Sequence, residues 1–171
     1  INELNDKLVR RHPHVFSNEK ALSSQDSLTI WEDIKAQERK TQKLDSLMDD
    51  VPKNLPSLIR AKKLQKRAAR VGFDWKDAKK VIDKIEEELE ELKIEHSKNN
   101  KDKLAEEVGD ILFTIVNLTR HYDLDPEDIM RRSNLKFEQR FKAMEKYAEQ
   151  NNLELKDMDV DQLEKVWQKI K

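Results

Sequence analysis

Two acidic phrases stand out in this chain: KIEEELEELK, residues 84–93, and KLAEEVGDILF, residues 103–113. Read as helices, each sets one Lys and two carboxylates on a single face, at steps of four and then three residues. The first trio is Lys84, Glu88 and Glu91; the second is Lys103, Glu107 and Asp110. The polar turn SKNNKD between them is short, so the helices are expected to run antiparallel and adjacent, with the carboxylates converging. Like charges at this spacing repel, by roughly a few tenths of a kcal/mol on an isolated helix. Burial raises that cost steeply unless a cation neutralises the site. Burial is expected on the second helix, where Val108, Ile111, Leu112, Phe113, Ile115, Val116 and Leu118 surround Asp110. Gly109 costs roughly 1 kcal/mol against alanine in mid-helix, which points to close packing or ligand approach. Carboxylates without Cys or His suit Mg²⁺, with Mn²⁺ as the alternative. A di-iron site wants Glu-x-x-His pairs. None of His12, His14, His96 and His121 has a Glu three residues before it, so they read as structural or solvated. Glu86, Glu87, Glu90 and Glu95 read as solvated.

The elements that position these residues are all helical in pattern. Leu4, Leu8 and Arg11 lie on a short helix expected to stop at Pro13. A second helix, capped by Ser23 or Ser24, carries Leu28, Trp31 and Ile34 on one face. Residues 41–56 lose periodicity and contain Pro52 and Pro56. Pro56 and Ser57 open a third helix that ends at Gly72. In the phrase GFDW, Asp74 is placed to cap the fourth, with Asp77 supporting that start. The fourth runs to about Lys98, the fifth from about Asp102 to His121, and the sixth from Asp125–Pro126 to about Asn151. A seventh starts near Asp159 and carries Trp167. The fold class predicted is all-α, an antiparallel helical bundle.

Bulk composition narrows the function. Lys plus Arg (34) and Asp plus Glu (35) nearly cancel, so no net pull toward nucleic acid or an anionic membrane is expected. Two glycines and four prolines are too few for the turns of a sheet protein. The absence of cysteine excludes disulfides and thiolate zinc sites. A reducing cytoplasm fits best, and no stretch reads as a membrane span or signal peptide.

The chain also repeats itself. NDKLVRR (5–11) matches NLKFEQR (134–140) at Asn, Lys and Arg, and IWEDIK (30–35) matches VWQKIK (166–171) at Trp, Ile and Lys. Two matches in the same order favour a duplication. Residues 1–40 then read as the tail of a first repeat, 41–55 as a linker, and 56–171 as a complete second repeat. Lys7, Arg11, Trp31 and Lys35 have no acidic partners in their repeat, so no second complete site is expected there.

At these residues the sequence resembles the MazG family of nucleoside triphosphate pyrophosphohydrolases. The family pattern E-x-x-E, spacer, E-x-x-D falls on Glu88, Glu91, Glu107 and Asp110. LQKRAARVGFDW, EEVGDILFTIVNLTRH, NLKFEQRF and VWQKIK look like the second half of the two-domain bacterial MazG, and RRHPHVF like the end of its first domain. The likeness spans essentially the whole chain. It implies the all-α pyrophosphatase bundle, a homodimer, and Mg²⁺ held by Glu88, Glu91, Glu107 and Asp110. It also implies substrate contacts from Lys84, Lys103, Lys136, Arg140, Trp167 and Lys171. The implied reaction is hydrolysis between the α and β phosphates of a nucleoside triphosphate, with Glu91 or Glu107 orienting the attacking water or taking its proton. A triphosphate needs metal, Lys and Arg, and an indole stacks on any base. Rivals are a related pyrophosphatase restricted to dUTP or dCTP, and a non-catalytic helical interaction module.

Overall fold

The computed structural model describes residues 5, 6, 8, 9, 13–16, 34 and 45–170. It divides into two compact units, Ile1–Pro52 and Lys53–Lys171. In the first, α1 is the short helix Pro13–Phe16. Pro13 therefore begins a helix where a stop was expected. Proline suits a first helical position because the N–H it lacks is unpaired there in any case. Of the expected second helix only Ile34 is described, helical and half-buried. Lys7, Arg11, Trp31 and Lys35 lie outside the described residues.

The second unit consists of α2 (Ser57–Ala69), α3 (Ala78–Ser97), α4 (Lys101–His121), α5 (Pro126–Gln150) and α6 (Val160–Lys169). A 3₁₀ turn, Leu155–Asp157, lies between the last two. The all-α class expected from the sequence is borne out; among the described residues there is no strand. The most extensive packing is α3 on α4; α2 lies against both α4 and α5, and α6 against α5. Val81, Val116, Met144, Ala148 and Val166 form the buried apolar core. Polar ties hold α2 in place: Gln65 Nε2 donates to the Phe113 carbonyl at 2.7 Å, and Lys62 Nζ to the Leu124 carbonyl at 2.8 Å.

Side chains cap the starts of α3 to α6. Asn100 accepts from the Lys103 N–H, Asp125 from those of Glu127 and Asp128, and Asp159 forms a capping box with Gln162. The cap of α3 is Asp77, which accepts from the Lys79 N–H, not Asp74. Asp74 is instead engaged by Arg120, whose guanidinium also reaches Asn117, with His121 Nε2 3.6 Å away. A tertiary ion pair took the residue that local pattern assigned to a cap.

Each of the four long helices α2 to α5 ends the same way. Gly72, Asn99, Asp123 and Asn152 have φ of 83°, 54°, 52° and 54°. At each, the following N–H reaches back to the fifth carbonyl before it, as Phe73 does to Ala68 and Leu153 to Ala148. This is the Schellman closure, in which left-handed backbone satisfies the last carbonyls. Asn and Asp tolerate that backbone better than other non-glycine residues, so one glycine, Gly72, suffices among these four ends.

The largest departure from expectation is on α4. Its buried residues are Thr114, Val116, Asn117 and Thr119, while Val108, Leu112, Phe113 and Ile115 are exposed. Asp110 is exposed too. Apolar side chains run all round this helix, so periodicity could not say which side faces its own chain. Among the described residues nothing lies within 4 Å of where a Gly109 Cβ would sit, so close packing against them is not its purpose.

Candidate functional site

The turn between α3 and α4 is three residues long, 98–100, so the two helices lie side by side. Carboxylate oxygens of Glu88, Glu107 and Asp110 then come within 4.8 Å of one another. Their environments differ: Glu88 is buried, Glu107 half-buried and Asp110 exposed. The buried carboxylate is thus on α3, not on the apolar α4 where burial was expected. Glu91 is exposed and stands outside this trio, but it is within hydrogen-bond reach of Glu107. Two carboxylates can share a hydrogen bond only around a proton. Desolvation, followed by the charges of Glu91, Glu88 and Asp110 and the bond to Glu91, pushes the Glu107 carboxyl above its ordinary range.

The two flanking lysines behave differently. Lys84 Nζ is 2.8 Å from Glu87 Oε1 and 2.7 Å from Glu88 Oε1. Hydrogen bonds to Glu87 and then Glu88 hold its ammonium protonated beyond the usual lysine range. Lys103 is exposed and pairs with Glu106 at 3.0 Å. That bond raises its pKa, with a smaller contribution from the charge of Glu107.

Of the remaining residues singled out in the sequence, Arg140 and Trp167 come together in a second cluster, on α5 and α6. The Trp167 ring lies 5.5 Å from that of Phe137, which stacks on Phe141 at 5.9 Å. The Arg140 guanidinium lies 5.9 Å from the Trp167 ring centroid. A cavity of about 480 Å³ opens here, walled mainly by Phe137, Phe141, Met144, Leu163 and Trp167. Lys156 and Glu164 stand at it. Lys136 is exposed on the same helix as Arg140. Lys171 lies outside the described residues. Phe137, Phe141 and Met144 escaped the sequence reading as cavity walls; their spacing of four and three on α5 was the available signal.

A family model described as phosphoribosyl-ATP pyrophosphohydrolase matches residues 42–136, more than half of the chain. The chain belongs to this family. The matched stretch holds all four acidic residues of the pattern and ends before Arg140 and Trp167.

The resemblance to MazG is borne out over the whole length. The chain is 45% identical to the Thermotoga maritima nucleoside triphosphate pyrophosphohydrolase/pyrophosphatase MazG, over 100% of this chain and 64% of that protein. It is 44% identical to the nucleoside triphosphate pyrophosphohydrolase of Escherichia coli (strain K12), over 98% of this chain and 65% of that protein. The uncharacterized protein YabN of Bacillus subtilis is 44% identical over 100% of this chain but only 35% of its own length. The chain thus spans just under two thirds of the first two relatives. No helix among the described residues is long and apolar enough to cross a membrane.

Proposed function

We propose that this chain hydrolyses nucleoside triphosphates to a nucleoside monophosphate and pyrophosphate, using Mg²⁺ held by Glu88, Glu91, Glu107 and Asp110. The observation that carries the reading is Glu88. It is buried at 5% exposure and faces two further carboxylates within 4.8 Å. Crowding acids around a buried one is unfavourable without a cation to gather them. Oxygen-only donors fit a hard divalent ion, Mg²⁺ or Mn²⁺. Such an ion, when bound, supplies charge neutralisation for the phosphates and a more acidic bound water.

The chain's own residues supply the rest. Glu107, half-buried among the other acids, accepts the proton as water oxygen bonds to the α phosphorus, with Glu91 sharing that role. The bond from phosphorus to the bridging oxygen breaks, and pyrophosphate leaves. Lys84, Lys103, Lys136 and Arg140 hold the phosphates, and Lys171 is proposed as a further substrate contact. Trp167 offers its face to a base beside Phe137 and Phe141, contact without strong selectivity. A base-tolerant wall of this kind supports broad nucleotide-pool housekeeping over restriction to dUTP or dCTP.

The exposed Val108, Leu112 and Ile115 recur on one side of α4 at steps of four and three. Their exposure supports a homodimer that covers them, to be read by sedimentation equilibrium. The absence of cysteine suits a cytoplasmic protein. Residues 1–40 are proposed as the tail of a first repeat, 41–55 as a linker and 56–171 as the catalytic repeat.

Product analysis tests the activity. The chain is incubated with Mg²⁺ and a panel of NTPs, dNTPs and phosphoribosyl-ATP, beside a Glu107→Gln control. Monophosphate plus pyrophosphate, lost in the control, is expected. Diphosphate plus phosphate would overturn the position of attack.

A further inference from the structure

Resting on the metal-site reading above, we infer that Lys84 is the resting counter-ion of Glu88, that Glu87 is its second anchor, and that a divalent cation enters by displacing Lys84 from Glu88 onto Glu87. The geometry is specific. One ammonium bridges Glu88 Oε1 at 2.7 Å and Glu87 Oε1 at 2.8 Å. The Glu88 side chain is 7% exposed, that of Lys84 30% and that of Glu87 57%. The three groups therefore run from the interior to solvent. An ionised carboxylate as deep as Glu88 calls for a cation beside it, and in the resting chain Lys84 provides it. Glu88 is also the deepest of the three clustered carboxylates. Two cations cannot both rest against that carboxylate without strong mutual repulsion, so the incoming ion and Lys84 compete.

Glu87 makes the competition reversible. It is not one of the clustered carboxylates, and it already touches Lys84, so the lysine keeps a partner after Glu88 is taken. Lys84 then stands at the outer edge of the site, where phosphates approach. Lys103 offers a contrast, since it is bonded to exposed Glu106, outside the metal cluster. Coupling follows by linkage: polyphosphate that attracts Lys84 favours the metal, and the metal frees Lys84 for polyphosphate.

The test is Mn²⁺ binding to the full chain without nucleotide, read from the free-ion electron paramagnetic resonance signal. Wild type, Lys84→Met, Glu87→Gln and the double variant make a cycle. Lys84→Met is expected to bind Mn²⁺ roughly tenfold tighter, since a charged competitor is gone. Glu87→Gln is expected to weaken binding severalfold in wild type and to have no effect in the Lys84→Met background. If Lys84→Met does not fold, Lys84→Gln, which keeps a hydrogen bond to Glu88, takes its place in the cycle. An equal Glu87→Gln effect in both backgrounds would show a through-space charge only, and overturn the exchange. Unchanged or weaker binding by Lys84→Met would do the same while leaving the metal site standing. Failure of every protein to bind Mn²⁺ would remove the site and the exchange together.

Discussion

Between α3 and α4 the chain buries a carboxylate, Glu88, whereas between α5 and α6 it leaves a cavity of about 480 Å³ walled by aromatic rings. The first region has too much negative charge for its depth. The second has apolar surface in contact with water. On the proposed function, each deficit matches a different part of a nucleoside triphosphate. The acids suit the cations that accompany phosphate, and the rings suit a base. Packing of α3 on α4 sets the spacing of the acids, and α6 lying on α5 sets that of the rings. Chemistry is therefore expected to fail sharply in the first region and binding to fade gradually in the second.

The largest effect is expected from Glu107→Gln. At saturating Mg²⁺ it should lower kcat about a thousandfold, the range of a lost general base, with KM little changed, as measured by pyrophosphate release. A mere KM change would place Glu107 with the binding residues and erase the contrast. Trp167→Ala should raise KM about tenfold through lost stacking, worth roughly 1–3 kcal/mol per base, and leave kcat nearly intact. Trp167→Phe should recover most of it. A kcat collapse in Trp167→Ala would mean that the two regions act as one catalytic unit.

Asp74→Ala separates scaffold from site. It leaves Arg120 without its acidic partner, and should cost about 1–3 kcal/mol of stability, seen in urea unfolding. Nucleotide hydrolysis well below the melting temperature should be unchanged. A loss of activity in the folded variant would draw the GFDW phrase into the site.

A pH effect that weakens the fold as pH rises is expected from the acidic region. Glu107 binds its proton more tightly in the folded chain than its ordinary value of 4.5. Between that value and the raised one, the folded state holds more protons than the unfolded. Stability of the metal-free chain should therefore fall as pH rises through this window. Saturating Mg²⁺ should flatten or invert that slope, because metal competes with the proton. Thermal melts with and without Mg²⁺ check it, and Glu107→Gln should remove the metal-free slope.

The smallest effect is at a helix end. Asn152→Ala should cost about 1 kcal/mol, because at φ of 54° Ala keeps the strained Cβ without the polar side chain that offsets it, while Asn152→Gly, with no Cβ, should be neutral. Equal losses in both would point to the Asn side chain and not to its backbone.

The sequence alone determined the helices and the acidic spacing. Scarcity of glycine and proline, helical periodicity and capping residues such as Asp125 and Asp159 are local properties. So is the rule that residues three and four apart share a face, which placed Lys84 beside Glu88. Tertiary structure decided what local rules leave open. It took Asp74 from a cap and paired it with Arg120. It turned the apolar side of α4 outward and buried Thr114 and Asn117, because a helix that is apolar all round carries no address. It also chose Glu88, not Asp110, as the buried acid. Depth depends on which neighbours arrive, and periodicity within one helix does not encode its neighbours.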